Sequence, residues 1–290
     1  MKLCRFDHNR LGLVDGEHIA DVTSALDVIP STRYPLPCAD LLILHLDAVR
    51  AAVIELLPKA PRLPLGAVRL LSPVANPPRI IAAPVNYLRH QAEASADGGV
   101  NFATDVKTIR DYGLFLKSST SLVGASEGVM LDFPQRRNDH EIELVAVIGR
   151  EGRHIPRAHA LEYIAGYAIG LDMTVRGPED RSLRKSPDSF SVLGPWLTTR
   201  DEVPDPNDLR MSLLVNGVVR QRNNTSDMIF PVDLILSHLS QFMTLLPGDV
   251  IVTGTPEGVG LGMKPPLFLK RGDVMELDGG ILGAQRQTVV

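Results

Sequence analysis

The chain has 290 residues, 44% of them hydrophobic and 22% charged, and a formal net charge of −4. These values describe a globular protein of one large domain or two smaller ones. The lack of a long basic run argues against a nucleic-acid partner, and no apolar stretch is long enough to span a bilayer. Cys4 and Cys38 match no metal or redox spacing and read as small apolar residues of a reducing compartment. No apolar core of signal-peptide length follows Lys2 and Arg5, so the cytoplasm is expected.

Residues 1–72 read as a small N-terminal unit. Met1 to Phe6 and Leu11 to Val14 are β-like runs around the turn residues Asp7 to Arg10. Asp15-Gly16 marks a second turn before His18-Ile19-Ala20. Ala39 to Leu57 carries apolar residues at helical spacing, with Asp40 as N-cap and Pro58 beyond the end. His8, His18 and His45 read as surface or packing residues. Six prolines between Pro58 and Pro78 form an extended connector, so the expected division is 1–72 and 73–290.

The main unit opens with a strand, Arg79 to Val85, that runs into a helix-like segment, Asn86 to Ala94. His90 and Glu93 lie three apart there and share one helical face. A carboxylate that orients an imidazole makes a general base for water; two solvated neighbours are the plainer reading. Asp97-Gly98-Gly99 ends the helix. The weak pattern from Tyr87 to Tyr112 predicts a lid. Leu114 to Ser119 is a short strand carrying Lys117, and Gly124 to Leu131 reads as a turn and another strand.

In Glu141-Ile142-Glu143, followed by the apolar run Leu144 to Ile148, the two carboxylates are two residues apart. On a strand they point to the same face. Asp172 ends a second apolar run from Tyr163. Like charges beside a core need something positive. Three carboxylates without Cys or His suit Mg²⁺, Mn²⁺ or Ca²⁺ better than Zn²⁺. The competing reading is a strand with one polar edge and a surface aspartate.

Thr174 to Asp188 is unusually charged, with Arg176, Glu179, Arg184 and Lys185 among its residues; it is either a functional connection or a solvated loop. Trp196 reads as a packing residue. Asn216-Gly217 between two strand-like runs predicts a hairpin. Phe230 to Leu246 has helical periodicity, and Val250 to Thr253 is a strand that feeds a glycine-rich loop, Gly254 to Gly260. That loop lacks nucleotide-binding spacings and reads as a turn lining a site. Another turn and strand follow at Phe268 to Val274.

The order of these pieces resembles the fumarylacetoacetate hydrolase family. The resemblance covers roughly residues 80–283. It rests on Asn86-Tyr87-x-x-His90-x-x-Glu93, Glu141-x-Glu143-Leu144, Lys185-Ser186-x-Asp188-Ser189-Phe190 and, most specifically, the run from Thr244 through Pro247-Gly248-Asp249 to Thr253-Gly254-Thr255-Pro256 and Gly260. It implies an α+β, β-rich fold: a mixed β-roll or pseudo-barrel catalytic domain behind a small N-terminal α/β domain, in a homodimer. It implies Mg²⁺ or Mn²⁺ held by Glu141, Glu143 and Asp172, His90 and Glu93 activating water, and Lys185 as a catalytic lysine. Arg176, Thr255, Tyr87 and Lys117 are its implied substrate contacts. Glu179 stands where relatives have a substrate-contacting glutamine, and an anion there would repel a substrate carboxylate.

The activity so implied is hydrolysis of a C–C bond in a β-diketo acid such as an acylpyruvate or fumarylpyruvate. The alternatives on the same metal site are 2-oxo acid decarboxylation and 2-hydroxydienoate isomerisation. Of another class are a non-catalytic oxo-acid-binding protein, against which the His90/Glu93 pair speaks, and an aldolase on an alternating β/α barrel, against which the β-rich pattern speaks.

Overall fold

The computed structural model describes residues 1–96 and 108–290. The chain starts as a meander of β1 (Lys2–Phe6), β2 (Arg10–Asp15) and β3 (His18–Asp21), as the alternating runs predict. Asp7 and Asn9 take positive φ in the first turn, a conformation that Asn and Asp tolerate better than most residues. One helix was expected over 39–57; two form, α1 (Leu41–Leu44) and α2 (Leu46–Leu56), parted at His45, whose φ/ψ of −108/22 leaves the helical region. The proline-rich connector holds β4 (Arg62–Pro64) and β5 (Leu70–Leu71).

The main unit begins with β6 (Ile80–Ala82), α3 (Leu88–Ala96), α4 (Ile109–Tyr112), β7 (Phe115–Lys117) and β8 (Leu122–Val123). Next come β9 (Arg137–Asp139), β10 (Ile142–Ile148), β11 (Ile164–Asp172), β12 (Thr174–Arg176) and α5 (Arg181–Arg184). Then follow β13 (Ser191–Thr199), β14 (Arg210–Val215), β15 (Val218–Asn224), α6 (Val232–Phe242), β16 (Val250–Val252), β17 (Val274–Asp278) and β18 (Ala284–Thr288).

The fold is β-rich α+β. The large sheet runs β4-β3-β2-β1-β13-β11-β10-β16-β6-β7, with β5 added on β1 and β8 on β13. A two-stranded sheet pairs β12 with β9, and a four-stranded one runs β15-β14-β17-β18. The sheets stay open, and no closed barrel forms among the described residues. Because β1 pairs with β13, the large sheet continues from the N-terminal unit into the main one. Apolar residues of both units share a core that includes Leu3, Val49, Val145 and Leu193.

One expectation fails here, and one strand appears that the sequence did not mark. Gly124 to Leu131 contributes only a bridge between Val129 and Val289, not a strand. Ser191 to Thr199, unassigned from sequence, is a central strand. Its Gly194-Pro195 hides it, since proline cannot donate to a ladder. The structure accommodates the proline at a register shift, where Tyr167 faces Thr198 but Ile169 faces Gly194. The Asn216-Gly217 hairpin forms as predicted, with φ of 52° and 76°, as a type I′ turn demands.

Asp40 fastens the helices to the rest of the protein. It is 1% exposed. Its carboxylate caps α1 through the Ile43 amide at 3.1 Å and accepts from the Ala75 and Asn76 amides of the connector at 3.0 and 2.9 Å. Gly248, at φ +91°, abuts Asp40 so closely that a Cβ there would lie 2.5 Å from the Asp40 Cβ. Asp40→Ala strips three backbone amides, that of Ile43 buried, of their acceptor. We expect a loss of about 2–4 kcal/mol in urea unfolding, with Asp40→Asn losing less.

Candidate active site

The strand prediction for Glu141 to Ile148 holds, and register does the rest. In the antiparallel pair β10–β11, Ile142 faces Leu171 and Glu143 faces Gly170. One step outward, the Asp172 amide donates to the Glu141 carbonyl at 2.9 Å. Residues directly opposite in such a pair share a face, so Asp172 joins the side on which Glu141 and Glu143 already stand together. The three offer carboxylate oxygens that all lie within 4.8 Å of one another, and all three residues are buried. Gly170 leaves room beside Glu143; a Cβ there would lie 2.4 Å from the Val192 carbonyl.

Cations surround the three acids. Lys185 caps the C-terminus of α5 and donates from Nζ to Glu141 Oε2 and Asp172 Oδ2, both at 2.6 Å. Lys117, at the end of β7, donates to Asp172 Oδ1 at 2.5 Å and to the Phe190 carbonyl at 2.8 Å. Its ammonium is turned inward, with a fully buried side chain. Arg176 lies 2.7 Å from Glu141 Oε1 and donates from Nε to Asp139 Oδ2 at 2.9 Å.

These neighbours split the acids electrostatically. Burial opposes ionisation of Glu141, but Lys185 and then Arg176 overcome it and hold its carboxyl well below the usual range. Burial, and then the Asp172 carboxylate, push Glu143 well above that range. Glu143 also accepts from the Gly254 amide of the glycine-rich loop.

That loop organises the other side. Glu93 accepts from the Gly258 amide with both oxygens, at 2.9 and 3.1 Å. Asp139 accepts from the Gly260 and Leu261 amides at 2.7 and 3.0 Å. Thr255 donates to the Ile142 carbonyl at 2.9 Å and accepts from Gln221 Nε2 at 2.8 Å. Gln221 also takes the Ile142 amide at 3.0 Å. Asn86 ties α3 in by donating to the Phe230 and Thr253 carbonyls at 2.9 and 2.7 Å.

His90 is buried on α3, with Nδ1 3.6 Å from Glu93 Oε2. That nitrogen has no hydrogen-bond partner among the described residues, nor has the buried Tyr87 hydroxyl. His90 is also among the groups that hold the Glu141 carboxyl low, after Lys185 and Arg176. The expected lid at 87–112 falls partly on residues 97–107, outside the described residues.

Glu179 stands apart from the carboxylate cluster. Arg136 binds it bidentately, at 2.7 and 2.8 Å, and that bond holds its carboxyl down to about 2. The anion anticipated against a substrate carboxylate is therefore already paired. Sequence reasoning passed over Asp139, which no spacing rule marks; its burial with four donors around it appears only in the fold.

The donor set fits a hard divalent cation: three buried carboxylates, converging, with no sulfur or imidazole among them. Residues 79–290 match the model of the fumarylacetoacetate (FAA) hydrolase C-terminal family. The chain belongs to the fumarylacetoacetate hydrolase family. It is an enzyme of that family, a metal-dependent C–C bond hydrolase. It is 59% identical over 262 residues to a maleylpyruvate hydrolase of Aquipseudomonas alcaligenes, covering 90% of this chain and 91% of that one. It is 36% identical over 251 residues to a mitochondrial oxaloacetate tautomerase of Homo sapiens, covering 84% and 76%. The crystal structure of a maleylpyruvate hydrolase from Sphingobium sp. SYK-6, in complex with manganese(II) ion and pyruvate, superposes with a TM-score of 0.83 at 37% identity, covering 100% of this chain and 99% of that one.

A ligand that binds only the folded state raises stability, by about 2.7 kcal/mol at a hundredfold excess over its dissociation constant. Millimolar Mn²⁺ should therefore raise the melting temperature of the wild type and leave that of Glu143→Ala unmoved. An equal rise in both would remove Glu143 from the ligand set.

Proposed function

We propose that the enzyme hydrolyses the C–C bond between the two carbonyl-bearing halves of an acylpyruvate and releases pyruvate. The observation that carries this reading is the convergence of three buried carboxylates, Glu141, Glu143 and Asp172. The similarity to maleylpyruvate hydrolases, one of them with manganese and pyruvate, supports it. Decarboxylation and isomerisation are less well supported, because the tautomerase relative is more distant.

The cofactor is Mg²⁺ or Mn²⁺, held by Glu141, Glu143 and Asp172. When bound, it supplies Lewis-acid stabilisation of the charge that develops on the 2-oxo acid half. His90 takes the proton of the attacking water, and Glu93, fixed by the Gly258 amide, positions the ring. Lys185 stabilises the oxyanion at the attacked carbonyl. Arg176, Thr255, Tyr87 and Lys117 order the substrate side of the site. Arg176 does so from a rigid seat, since Asp139 holds its guanidinium.

A homodimer in the cytoplasm completes the proposal. Exposed apolar side chains such as Leu183 and Phe242 are suited to cover one another between copies, and no helix among the described residues is long and apolar enough to cross a membrane. Light scattering should give twice the chain mass.

The decisive variant is His90→Ala. General-base catalysis contributes typically about a hundred- to ten-thousand-fold. With maleylpyruvate and Mn²⁺, kcat should fall by that range while pyruvate affinity stays near the wild-type value. Glu93→Gln should lose less, since the imidazole remains. Wild-type turnover in His90→Ala would end the role assigned to it.

A further inference from the structure

The charged stretch 174–188 holds two cations that the mechanism does not use, Arg181 and Arg184, and of these Arg184 has buried nitrogens without a hydrogen-bond partner among the described residues. Arg184 closes α5, next to Lys185 in sequence. Its Nε and Nη1 are shut off from solvent and have no hydrogen-bond partner among the described residues. A guanidinium carries five donors and a permanent charge, and burying it unpaired is costly. Burial, and then the neighbouring Arg176, push its pKa down to about 10, which leaves it charged at neutral pH.

Two observations place this cation between the carboxylate cluster and open space. Glu141 and Asp172 are among the charges that act on it. It also lines a cavity of about 430 Å³ together with Arg136, Glu179, Val175 and Ser186. The other charges of that cavity are accounted for. Arg136 and Glu179 neutralise each other. Asp132 and Asp188 are exposed, and neither pairs with Arg184. Arg184 is thus a cation at this cavity with nitrogens that have no hydrogen-bond partner among the described residues. Its geometry matches a carboxylate, which accepts two parallel N–H bonds.

We propose that Arg184 binds a second carboxylate, at the far end of the acyl half of the substrate, and so selects diacids over acylpyruvates with neutral tails. This rests on the oxo-acid reading above and deepens it. The 2-oxo acid head lies at Glu141, Glu143 and Asp172; the tail extends past α5 towards the cavity. Arg184 takes no part in the proton transfers, so its effect falls on discrimination between substrates.

Two unreactive seven-carbon 2-oxo acids test this, 2-oxoheptanedioate and 2-oxoheptanoate. They share the head and differ in the distal carboxylate, and neither has the second carbonyl that hydrolysis requires. Calorimetry on the Mn²⁺-loaded full chain would compare wild type, Arg184→Met and Arg184→Lys. The wild type should bind the diacid more tightly. Arg184→Met should weaken the diacid roughly ten- to a hundred-fold more than the monoacid, as loss of a charge-assisted pair implies. Arg184→Lys should recover part of the difference. Should Arg184→Met fail to fold, the same ratio in Arg184→Lys decides. Equal weakening of both acids, or no preference for the diacid in the wild type, overturns the role of Arg184 alone. A wild type that binds neither acid overturns the oxo-acid reading and this inference with it.

Discussion

Three carboxylates brought together in the interior of the large sheet set the terms for everything around them. Glu141, Glu143 and Asp172 are each 3% exposed or less. Charges so placed repel one another and lose their hydration, and a protein holds them only by surrounding them with positive groups and donors. Lys117, Lys185 and Arg176 are drawn in from three separate segments to meet that need. They do not meet it in full: burial and the Asp172 carboxylate still push the Glu143 carboxyl well above the usual range. A divalent cation would supply the missing positive charge and make the cluster a ligand set.

The glycine-rich loop after β16 is the second organising element. It contributes amides rather than side chains. Gly254 donates to Glu143, Gly258 to Glu93, and Gly260 to Asp139. One loop thus touches Glu143 of the carboxylate cluster, Glu93 beside His90, and Asp139, the acid that seats Arg176. Close approach explains its composition. A Cβ at Gly258 would lie 2.0 Å from the Arg220 carbonyl, and one at Gly260 would lie 2.1 Å from the Leu267 carbonyl. Backbone donors held by a packed loop cost little reorganisation during a reaction, which suits a site where charge moves from water to oxyanion.

Family membership and the carboxylate cluster constrain the reaction without naming the acyl chain. Specificity has to come from groups farther out. Glu179 is paired with Arg136, whereas Arg184 has no hydrogen-bond partner for Nε and Nη1 among the described residues. A paired anion cannot read substrate charge, and an unpaired cation is the candidate that can.

Local periodicity by itself determined a good deal. A period of two put Glu141 and Glu143 on one face, and a spacing of three put His90 beside Glu93. Asp40 was recognisable as a cap, and Asn216-Gly217 as a tight hairpin. Each depends on neighbours within a few residues, whose geometry is the same in any fold. Tertiary structure decided the rest. Asp172 joins the glutamates because of the β10–β11 register, and Lys117 meets it across 55 positions of sequence. The strand at 191–199 was hidden by Pro195, which a register shift accommodates. The single helix expected over 39–57 parts at His45. Asp139 became a hub, Glu179 was paired, and Arg184 Nε and Nη1 found no partner among the described residues. These outcomes turn on which distant groups share a buried space, and desolvation makes such pairings strong only after the chain has closed around them.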